Sequence, residues 1–209
     1  MKFCLPSSKA DYGWVFLLQS YKKYVAKSAT VLEIGASNIE RTKELASLCC
    51  KLIGVEYFSA RIPQDFENIN YIVGDWQRLS EFTEAESIDV AVAYHVIEHV
   101  PDDKRAINEL YKVLKVGGMA IIVTPNRKRL IRAMIEIFIS ERKFPFWEHQ
   151  REYTEKDLLN LLEDSYFREF QIIPVVFGIQ GRPIFWYLES VPKLFRKFAN
   201  FWEVHLFKM

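Results

Sequence analysis

The chain has 209 residues, 50% of them hydrophobic, which is enough to bury one substantial core. Its net charge of +1 supplies no strong field for binding a polyanion, so nucleic acid is not indicated as a partner. The three cysteines lack both metal-ligand spacing and the even count of a disulfide framework, and no apolar run is long enough to suggest a membrane span. We therefore expect a single domain, residues 1–209, in the reducing cytoplasm.

The first predicted element is a leading helix over residues 8–27. Ser8 and Asp11 fit a capping box, and apolar side chains recur downstream at helical spacing. This apolar stripe favours packing of the helix on a sheet. The functional alternative is that Tyr12 and Trp14 line a substrate pocket.

A short apolar strand, Val31–Ile34, is followed by a tight turn at Gly35 and by a helix over Arg41–Cys50. The run is typical of a parallel strand buried on both faces, and glycine permits the backbone geometry of a sharp exit. At the carboxyl end of such a strand, loop amides and the next helix start face a crevice where ligands bind. An ordinary strand-to-helix turn uses the same glycine, so this pattern alone leaves both interpretations open.

Polar residues end each of the next three strands, which are predicted over Leu52–Glu56, Ile69–Val73 and Ile88–Tyr94. The first of them ends in Glu56, 21 positions after Gly35 (56 − 35), which is near the offset of an acid that binds ribose hydroxyls. The second leads into Asp75 and Trp76, and the third leads into His95. The spacing therefore predicts a ligand crevice at the carboxyl ends of these strands.

The segment that begins at His95 reads H-x-x-E-H, with Glu98 and His99 completing the pattern. Some zinc peptidases carry this pattern on a helix, where the two histidines bind the metal and the acid serves as base. Here a strand runs into His95 and Pro101 follows closely, so we predict no metal site. His95 has three interpretations: a loop residue, an acceptor-binding group or a general base. Glu98 and His99 are expected to fix the loop and the start of the next helix.

A helix over Asp102–Val116, ended by the glycines at 117–118, and a strand over Met119–Thr124 come next. Residues 127–150 then depart from the alternation of strands and helices, because this segment is basic at first and apolar nearly all round afterwards. An apolar helix of that kind requires burial. We expect a cap insertion that serves as a lid over the substrate, a dimer contact or a membrane-surface element, and we leave the oligomeric state open.

Residues 151–209 are predicted to complete the sheet. A capping box at Thr154 starts a helix over Glu155–Asp164, and a sixth strand covers Glu169–Phe177. The tail, Arg182–Met209, is rich in aromatic residues with lysines and arginines among them. This composition predicts either a seventh strand with a core-packed helix, or docking on a membrane surface or a lipid-linked acceptor.

Five short motifs occur along the chain: E-x-G at the first strand, an acid ending the second, G-D after the third, H-V-I-E-H-V after the fourth, and E-H-x-R-x-Y-[ST] from Glu148. In this order they resemble class I S-adenosylmethionine-dependent methyltransferases of the type 11 branch, from Val31 to Asn126 and again from Glu148 to Leu162. The resemblance implies an α/β fold with a doubly wound, mostly parallel seven-stranded, Rossmann-like sheet and a helical cap insertion after the fifth strand. It also implies S-adenosylmethionine as the cofactor, bound by the core at residues 28–126.

The resemblance places particular residues beside the cofactor. They are Glu33, Gly35, Ala36, Ser37, Glu56, Tyr57, Asp75, Trp76 and His95. By this resemblance Glu33 and Gly35 lie beside the methionine part of the cofactor. Glu56 holds the ribose, and Asp75 with Trp76 borders the adenine.

His95 and His149 are the candidate catalytic bases. Arg151 and Tyr153 either recognise the acceptor, as the resemblance implies, or brace the lid. We expect the acceptor to be a small molecule or a lipid- or glycan-linked group. Oxygen is the expected acceptor atom, because residues 93–96 lack the [ND]-P-P-[YF] turn of related enzymes that methylate the amines of bases.

The glycine loop departs from the family pattern E-x-G-x-G-x-G, since Ser37 and Ile39 stand where the second and third glycines usually fall. We interpret the loop as altered and still functional, because Asn38 tolerates a left-handed turn and a serine hydroxyl can donate a hydrogen bond. The alternative is a noncatalytic protein with the cofactor fold. A zinc peptidase through His95, Glu98 and His99 is a weaker alternative, as is an NAD dehydrogenase, whose glycine fingerprint is missing.

Overall fold

The structure is a computed structural model that describes residues 3–4, 11–62, 68–130, 132, 149–180, 185–188, 191 and 193–209. Its main sheet contains β2 (Thr30–Ile34), β3 (Lys51–Glu56), β4 (Ile69–Val73), β5 (Ile88–Tyr94), β6 (Leu114–Pro125), β7 (Glu169–Val175) and β10 (Phe201–Phe207), in the order β4-β3-β2-β5-β6-β10-β7. The strands β2 to β6 pair in parallel, whereas β10 pairs antiparallel with both β6 and β7. The predicted doubly wound, mostly parallel seven-stranded sheet is therefore confirmed.

Helices cover both faces of the sheet. The described α-helices are α1 (Tyr12–Tyr24), α2 (Ile39–Ala46), α3 (Asp103–Val113) and α4 (Glu155–Glu163). Apolar residues of α1 and α2 form one core cluster with Val31, and those of α3 and α4 form a second cluster with Leu32. Successive residues of β2 thus point to opposite faces, and both faces are buried, as expected for a central parallel strand.

Side-chain caps set where the helices begin. The Asp11 carboxylate accepts a hydrogen bond from the Trp14 amide, so Asp11 itself caps α1, which ends at Tyr24 and not at residue 27 as predicted. Ser8, the predicted cap, lies outside the described residues. The Asn38 side chain accepts from the Arg41 amide in the same way, which starts α2 earlier than predicted. The capping box at the start of α4, between Thr154 and Asp157, is confirmed.

The predicted end of the helix after β5 is wrong. α3 ends at Val113, and Leu114 already has extended backbone geometry as the first residue of β6. Leu114 is fully buried and lies opposite Ile88 in β5, so strand pairing prevails over the helical spacing of its apolar neighbours. Gly117 does not end the helix; it takes a φ of +81° inside the strand.

A second, three-stranded sheet was not predicted. It contains β1 (Phe3–Cys4), β8 (Phe177–Gln180) and β9 (Phe185–Leu188), in the order β1-β9-β8. The predicted sixth strand is divided between the two sheets, because Val176 has a φ of +58° and redirects the chain between β7 and β8.

The C-terminal tail was predicted to form a seventh strand and a core-packed helix, and the structure contains only the strand in the residues that it describes. The seventh strand is confirmed as β10, but the core-packed helix is wrong, since Lys193–Phe198 forms a 3-10 helix and Leu194 is 80% exposed. Of the predicted cap insertion, residues 131 and 133–148 lie outside the described part of the chain. Among the helices that are described, none has the length and apolarity needed to cross a membrane.

Candidate active site

The turn after β2 is held tightly between neighbouring strand ends. Gly35 has a φ of +80°, and a Cβ at this position would lie 2.5 Å from Val96 Cγ2, so a larger residue would clash there. The amides of Gly35 and Ala36 donate to the Val55 carbonyl at 2.8 and 3.2 Å, and the Ser37 amide donates to the Gly35 carbonyl at 2.9 Å. The turn is therefore built with one glycine, although Ser37 replaces the second glycine of the predicted motif.

A cavity of about 820 Å³ opens at the carboxyl ends of the parallel strands. It lies where doubly wound sheets bind ligands, and its size falls within the range of small-molecule pockets. The predicted cofactor residues that line it are Glu33, Gly35, Ser37, Glu56, Tyr57, Asp75, Trp76 and His95. Ala36 does not line it, because this residue is fully buried with its side chain against Gly54.

Glu33 is a buried acid of the cavity wall. Its side chain is 6% exposed, and its Oε2 atom has no hydrogen-bond partner among the described residues. Burial raises the pKa of Glu33 to about 8, although a hydrogen bond from Thr42 and the charge of Arg41 act in the opposite direction. This carboxyl group is thus an orphaned polar group that a cationic ligand would satisfy.

The acids at the carboxyl ends of β3 and β4 are fixed by local hydrogen bonds. Glu56 is 5% exposed, and its Oε1 atom accepts from the Phe58 amide at 3.2 Å. Asp75 Oδ1 accepts from the Gln77 amide at 2.9 Å and caps a 3-10 helix over Trp76–Glu81. The Trp76 indole N–H is buried and has no partner in the described part of the chain. The two carboxylates and the unpartnered indole N–H therefore belong to side chains that line the same cavity.

His95 occupies an unusual backbone position at the end of β5. Its φ is +55°, a value that few non-glycine residues adopt outside special sites, and its amide donates to the Val123 carbonyl at 2.9 Å. The ring Nδ1 lies 3.1 Å from Glu98 Oε1. Donation from Nδ1 to this carboxylate leaves Nε2 as the basic nitrogen of a side chain that lines the cavity.

Glu98 is the buried partner that orients His95. Its side chain is fully buried, and its Oε2 atom accepts from Thr124 Oγ1 at 3.1 Å. Burial opposes ionisation of this group, but the hydrogen bond and charge of His95 hold the pKa of Glu98 below its usual range. The pair therefore has the histidine–carboxylate arrangement that fixes an imidazole as a proton acceptor.

The wall near α1 contains residues that the sequence motifs did not indicate. Tyr94 donates its hydroxyl hydrogen to Asp11, which also forms an ion pair with Arg41. The Arg41 guanidinium lies 5.3 Å from the Trp14 ring and 4.7 Å from the Tyr94 ring. Of the two residues considered on the leading helix, Trp14 lines the cavity and Tyr12 does not. In the sequence, only the aromatic residues of the leading helix indicated that this part of the chain could line the cavity.

The predicted acceptor residues Arg151 and Tyr153 lie outside the cavity wall. Both bind Asp103 at the start of α3, with Tyr153 Oη donating to Asp103 Oδ2 at 2.8 Å. Arg151 also donates to the Pro101 carbonyl. These contacts correspond to bracing of the loop after β5. Gln150, which no motif indicated, is the residue of this segment that lines the cavity.

His149 also lies behind the cavity wall. Its Nδ1 atom is 3.1 Å from Glu152 Oε1, and its ring packs edge-on against the His99 ring with the centroids 4.8 Å apart. His99 lines the cavity, whereas His149 does not. The structure therefore brings His95, and not His149, to the surface that a ligand would contact.

The H-x-x-E-H segment does not have the geometry of a peptidase motif. β5 ends at Tyr94, and Ile97–His99 forms a 3-10 helix with no α-helical turn linking the two histidines. The continuous helix required by that alternative is therefore missing from this described segment.

Sequence comparison identifies relatives over most of the chain. Residues 32–122 match a family model described as a methyltransferase domain. A probable S-adenosylmethionine-dependent methyltransferase of Mycolicibacterium smegmatis is 28% identical over 150 residues, which is 71% of this chain and 55% of the relative. The mitochondrial ubiquinone biosynthesis O-methyltransferase of Homo sapiens is 30% identical over 118 residues, covering 52% of this chain and 32% of that protein. The chain thus spans about half, or less, of the length of these curated relatives.

Solved structures share the fold. A methyltransferase from Thermotoga maritima, described as a possible histamine N-methyltransferase, has a TM-score of 0.66 at 21% identity, covering 95% of this chain and 90% of that one. An S-adenosylmethionine-dependent methyltransferase from Archaeoglobus fulgidus has a TM-score of 0.66 at 18% identity, covering 93% of each chain. Together these findings confirm the resemblance to class I methyltransferases.

Proposed function

We propose that this chain, which resembles the class I S-adenosylmethionine-dependent methyltransferases in fold and over residues 32–122, transfers a methyl group from S-adenosylmethionine to an acceptor oxygen. One observation carries the proposal. Three acids that end successive strands, Glu33, Glu56 and Asp75, line the same cavity as His95. The acids provide contacts for a nucleoside and a cationic chain, and the histidine provides a base.

The donor set fits the proposed cofactor. Glu56 is placed to accept hydrogen bonds from vicinal ribose hydroxyls, and Asp75 with Trp76 borders a space suited to the adenine. The unpartnered Glu33 Oε2 would face the positively charged methionine part, beside the turn at Gly35, which lines the same cavity. When bound, the cofactor supplies a methyl group already activated by its positive sulfur.

His95 would accept the proton of an acceptor hydroxyl as the oxygen takes the methyl group. The Glu98 carboxylate, held by Thr124, keeps the ring oriented and stabilises the imidazolium that results. The remaining task of the protein is to align donor and acceptor and to exclude water. His149 is a weaker candidate for the base, because it stands behind the cavity wall.

Arg151 and Tyr153 would position the loop that carries His95. Both residues tie Asp103 to the segment after β5, so their contribution to acceptor recognition is indirect in this proposal. The acceptor would be a small molecule or a lipid- or glycan-linked group. A lipid-linked acceptor is supported by the exposed apolar side chains Leu194 and Phe195, which stand beside exposed Lys193 on the 3-10 helix of the tail.

Calorimetric titration of the purified protein with S-adenosylmethionine and S-adenosylhomocysteine tests the first part of the proposal. We expect saturable binding that Glu56→Ala and Asp75→Ala both weaken, while Glu163→Ala, an exposed acid at the end of α4, leaves it unchanged. A folded protein that binds neither compound at millimolar concentration would support the noncatalytic alternative.

Transfer of a labelled methyl group then tests the acceptor class. The panel would contain phenols, sugars and a lipid-linked glycan in vesicles, each beside an amine of matched size. Labelling of the hydroxyl compounds supports transfer to oxygen. Labelling confined to the amines would overturn that part of the proposal.

A further inference from the structure

We propose that Glu98, His99 and His149 form a binding site for a divalent transition-metal ion of the Zn²⁺ type. One ligand atom from each of these three residues lies within 4.8 Å of the other two. This proposal concerns a property other than methyl transfer and does not depend on the proposed function. The site also differs from the peptidase pattern, because it uses His149, 50 positions after His99 (149 − 99), in place of His95.

The ligand chemistry selects the class of ion. Two imidazoles and one carboxylate are the protein ligands of several catalytic zinc sites, in which a fourth position remains open to water or substrate. Imidazole ligands favour zinc and its first-row neighbours over Mg²⁺ and Ca²⁺, which prefer oxygen. Tetrahedral coordination at about 2.1 Å places ligand atoms roughly 3.4 Å apart. Modest side-chain rotations of His99 and His149 would therefore bring the ligand atoms from their present separation, up to 4.8 Å, to this distance.

The surroundings of His149 supply a second, independent observation. Its Nδ1 atom faces the Glu152 carboxylate at 3.1 Å. Glu152 is 4% exposed and is itself fixed by Arg129, whose guanidinium nitrogens lie 2.9 and 3.1 Å from its two oxygens. Metal-binding histidines almost always have such a carboxylate or carbonyl on the other ring nitrogen.

The third ligand is oriented in a similar way. Glu98 is fully buried and its two oxygens accept one hydrogen bond each, from His95 and Thr124, so that lone pairs remain for an ion. Its negative charge would offset part of the charge of a divalent cation in this buried position. His99 lines the cavity, so an open coordination position would be reached from the same space as His95.

The test is a titration of metal-free protein with Co²⁺, followed by visible absorption, and with Zn²⁺ in competition. We expect one ion per chain, and at least a tenfold weaker affinity in both His99→Ala and His149→Ala. The control is Cys50→Ser, since Cys50 is an exposed thiol that could bind these ions elsewhere. This variant should keep the affinity of the wild type.

Nuclear magnetic resonance of the histidine side chains gives a test that needs no variant. Zn²⁺ should shift the ring nitrogens of His99 and His149 and leave those of His205, which pairs with Glu203 in β10, unchanged. Failure of the wild type to take up one ion, or wild-type affinity in both histidine variants, would overturn the proposal. Because neither measurement includes a methyl donor, the result is separate from the outcome of the cofactor titration.

Discussion

The cavity has two halves of different origin. One half is formed by acids at the ends of neighbouring parallel strands, Glu33, Glu56 and Asp75, and each lies within a few residues of its strand. The other half combines Trp14 of α1, His95 directly after β5, and Gln150 at the end of the predicted cap insertion. The acids of the first half recur at regular intervals along the sequence, one for each strand. The residues of the second half have no such regular spacing and are brought together only by folding.

This difference separates the general part of the site from the specific part. The strand-end acids suit a ligand common to a large group of proteins, because their spacing follows from the parallel sheet itself. The second half depends on α1 and on the segment around Gln150, elements that can vary without disturbing the sheet. We therefore expect substitutions in the two halves to affect different steps of the reaction.

Replacement of His95 should separate the halves most clearly. His95→Asn keeps a residue that tolerates positive φ but removes the base, so turnover should fall by about 100- to 10,000-fold. Affinity for S-adenosylhomocysteine should change by less than about threefold. Initial rates of labelled methyl transfer and calorimetry measure the two effects. A parallel loss of cofactor affinity would contradict the division of the cavity.

The pH dependence of the free energy of unfolding should show the raised pKa of Glu33, which belongs to the strand-end half. Its pKa in the folded protein is about 8 against an ordinary 4.5, so between these values the folded state binds the extra proton. Stability should accordingly fall as pH rises from about 4.5 to 8, on the order of 4 kcal/mol if the full shift is expressed. Glu33→Gln should flatten this part of the curve in urea unfolding. Parallel curves for the two proteins would show that Glu33 titrates normally.

Removal of Glu56 should affect the strand-end half alone. Glu56→Ala would lose two charge-assisted hydrogen bonds to the ribose, which predicts roughly 100-fold weaker binding of S-adenosylhomocysteine. Glu56→Gln should lose less, because the amide oxygen can still accept. Calorimetry at constant salt gives both values. Equal affinity in Glu56→Ala and wild type would remove this residue from the cofactor site.

The smallest expected effect concerns the brace behind the second half. Tyr153→Phe removes the hydrogen bond to Asp103 and should lower the free energy of unfolding by about 1–2 kcal/mol. Cofactor affinity should remain within about twofold of wild type. Urea unfolding and calorimetry measure these quantities. A higher KM for the acceptor at unchanged stability would instead indicate that Tyr153 contacts the acceptor.

The sequence predicted the strand ends that form the first half of the cavity, because their determinants are local. Strand bounds at Ile69–Val73 and Ile88–Tyr94 agree with the structure. Glu56 was located by its offset from Gly35, which one strand, one turn and one helix determine. The turn itself was also predicted, although two of the usual glycines are replaced.

The second half depended on contacts that spacing does not encode. Arg41 and Tyr94 both bind Asp11, and these three residues lie far apart in the sequence. Gln150 reaches the cavity because its amide donates to the Glu98 carbonyl at 2.8 Å, across 52 positions (150 − 98). The end of α3 was misjudged for a similar reason, since pairing of Leu114 with Ile88 overrode the local helical pattern.

The contact between Gly35 and Val96 links the two halves at a single point. A Cβ at residue 35 would lie 2.5 Å from the Val96 side chain, so each position limits the volume available to the other. Substitutions at these two positions are consequently not independent of each other. A side chain at position 35 would require a residue smaller than valine at position 96 and would also have to tolerate the φ of +80°.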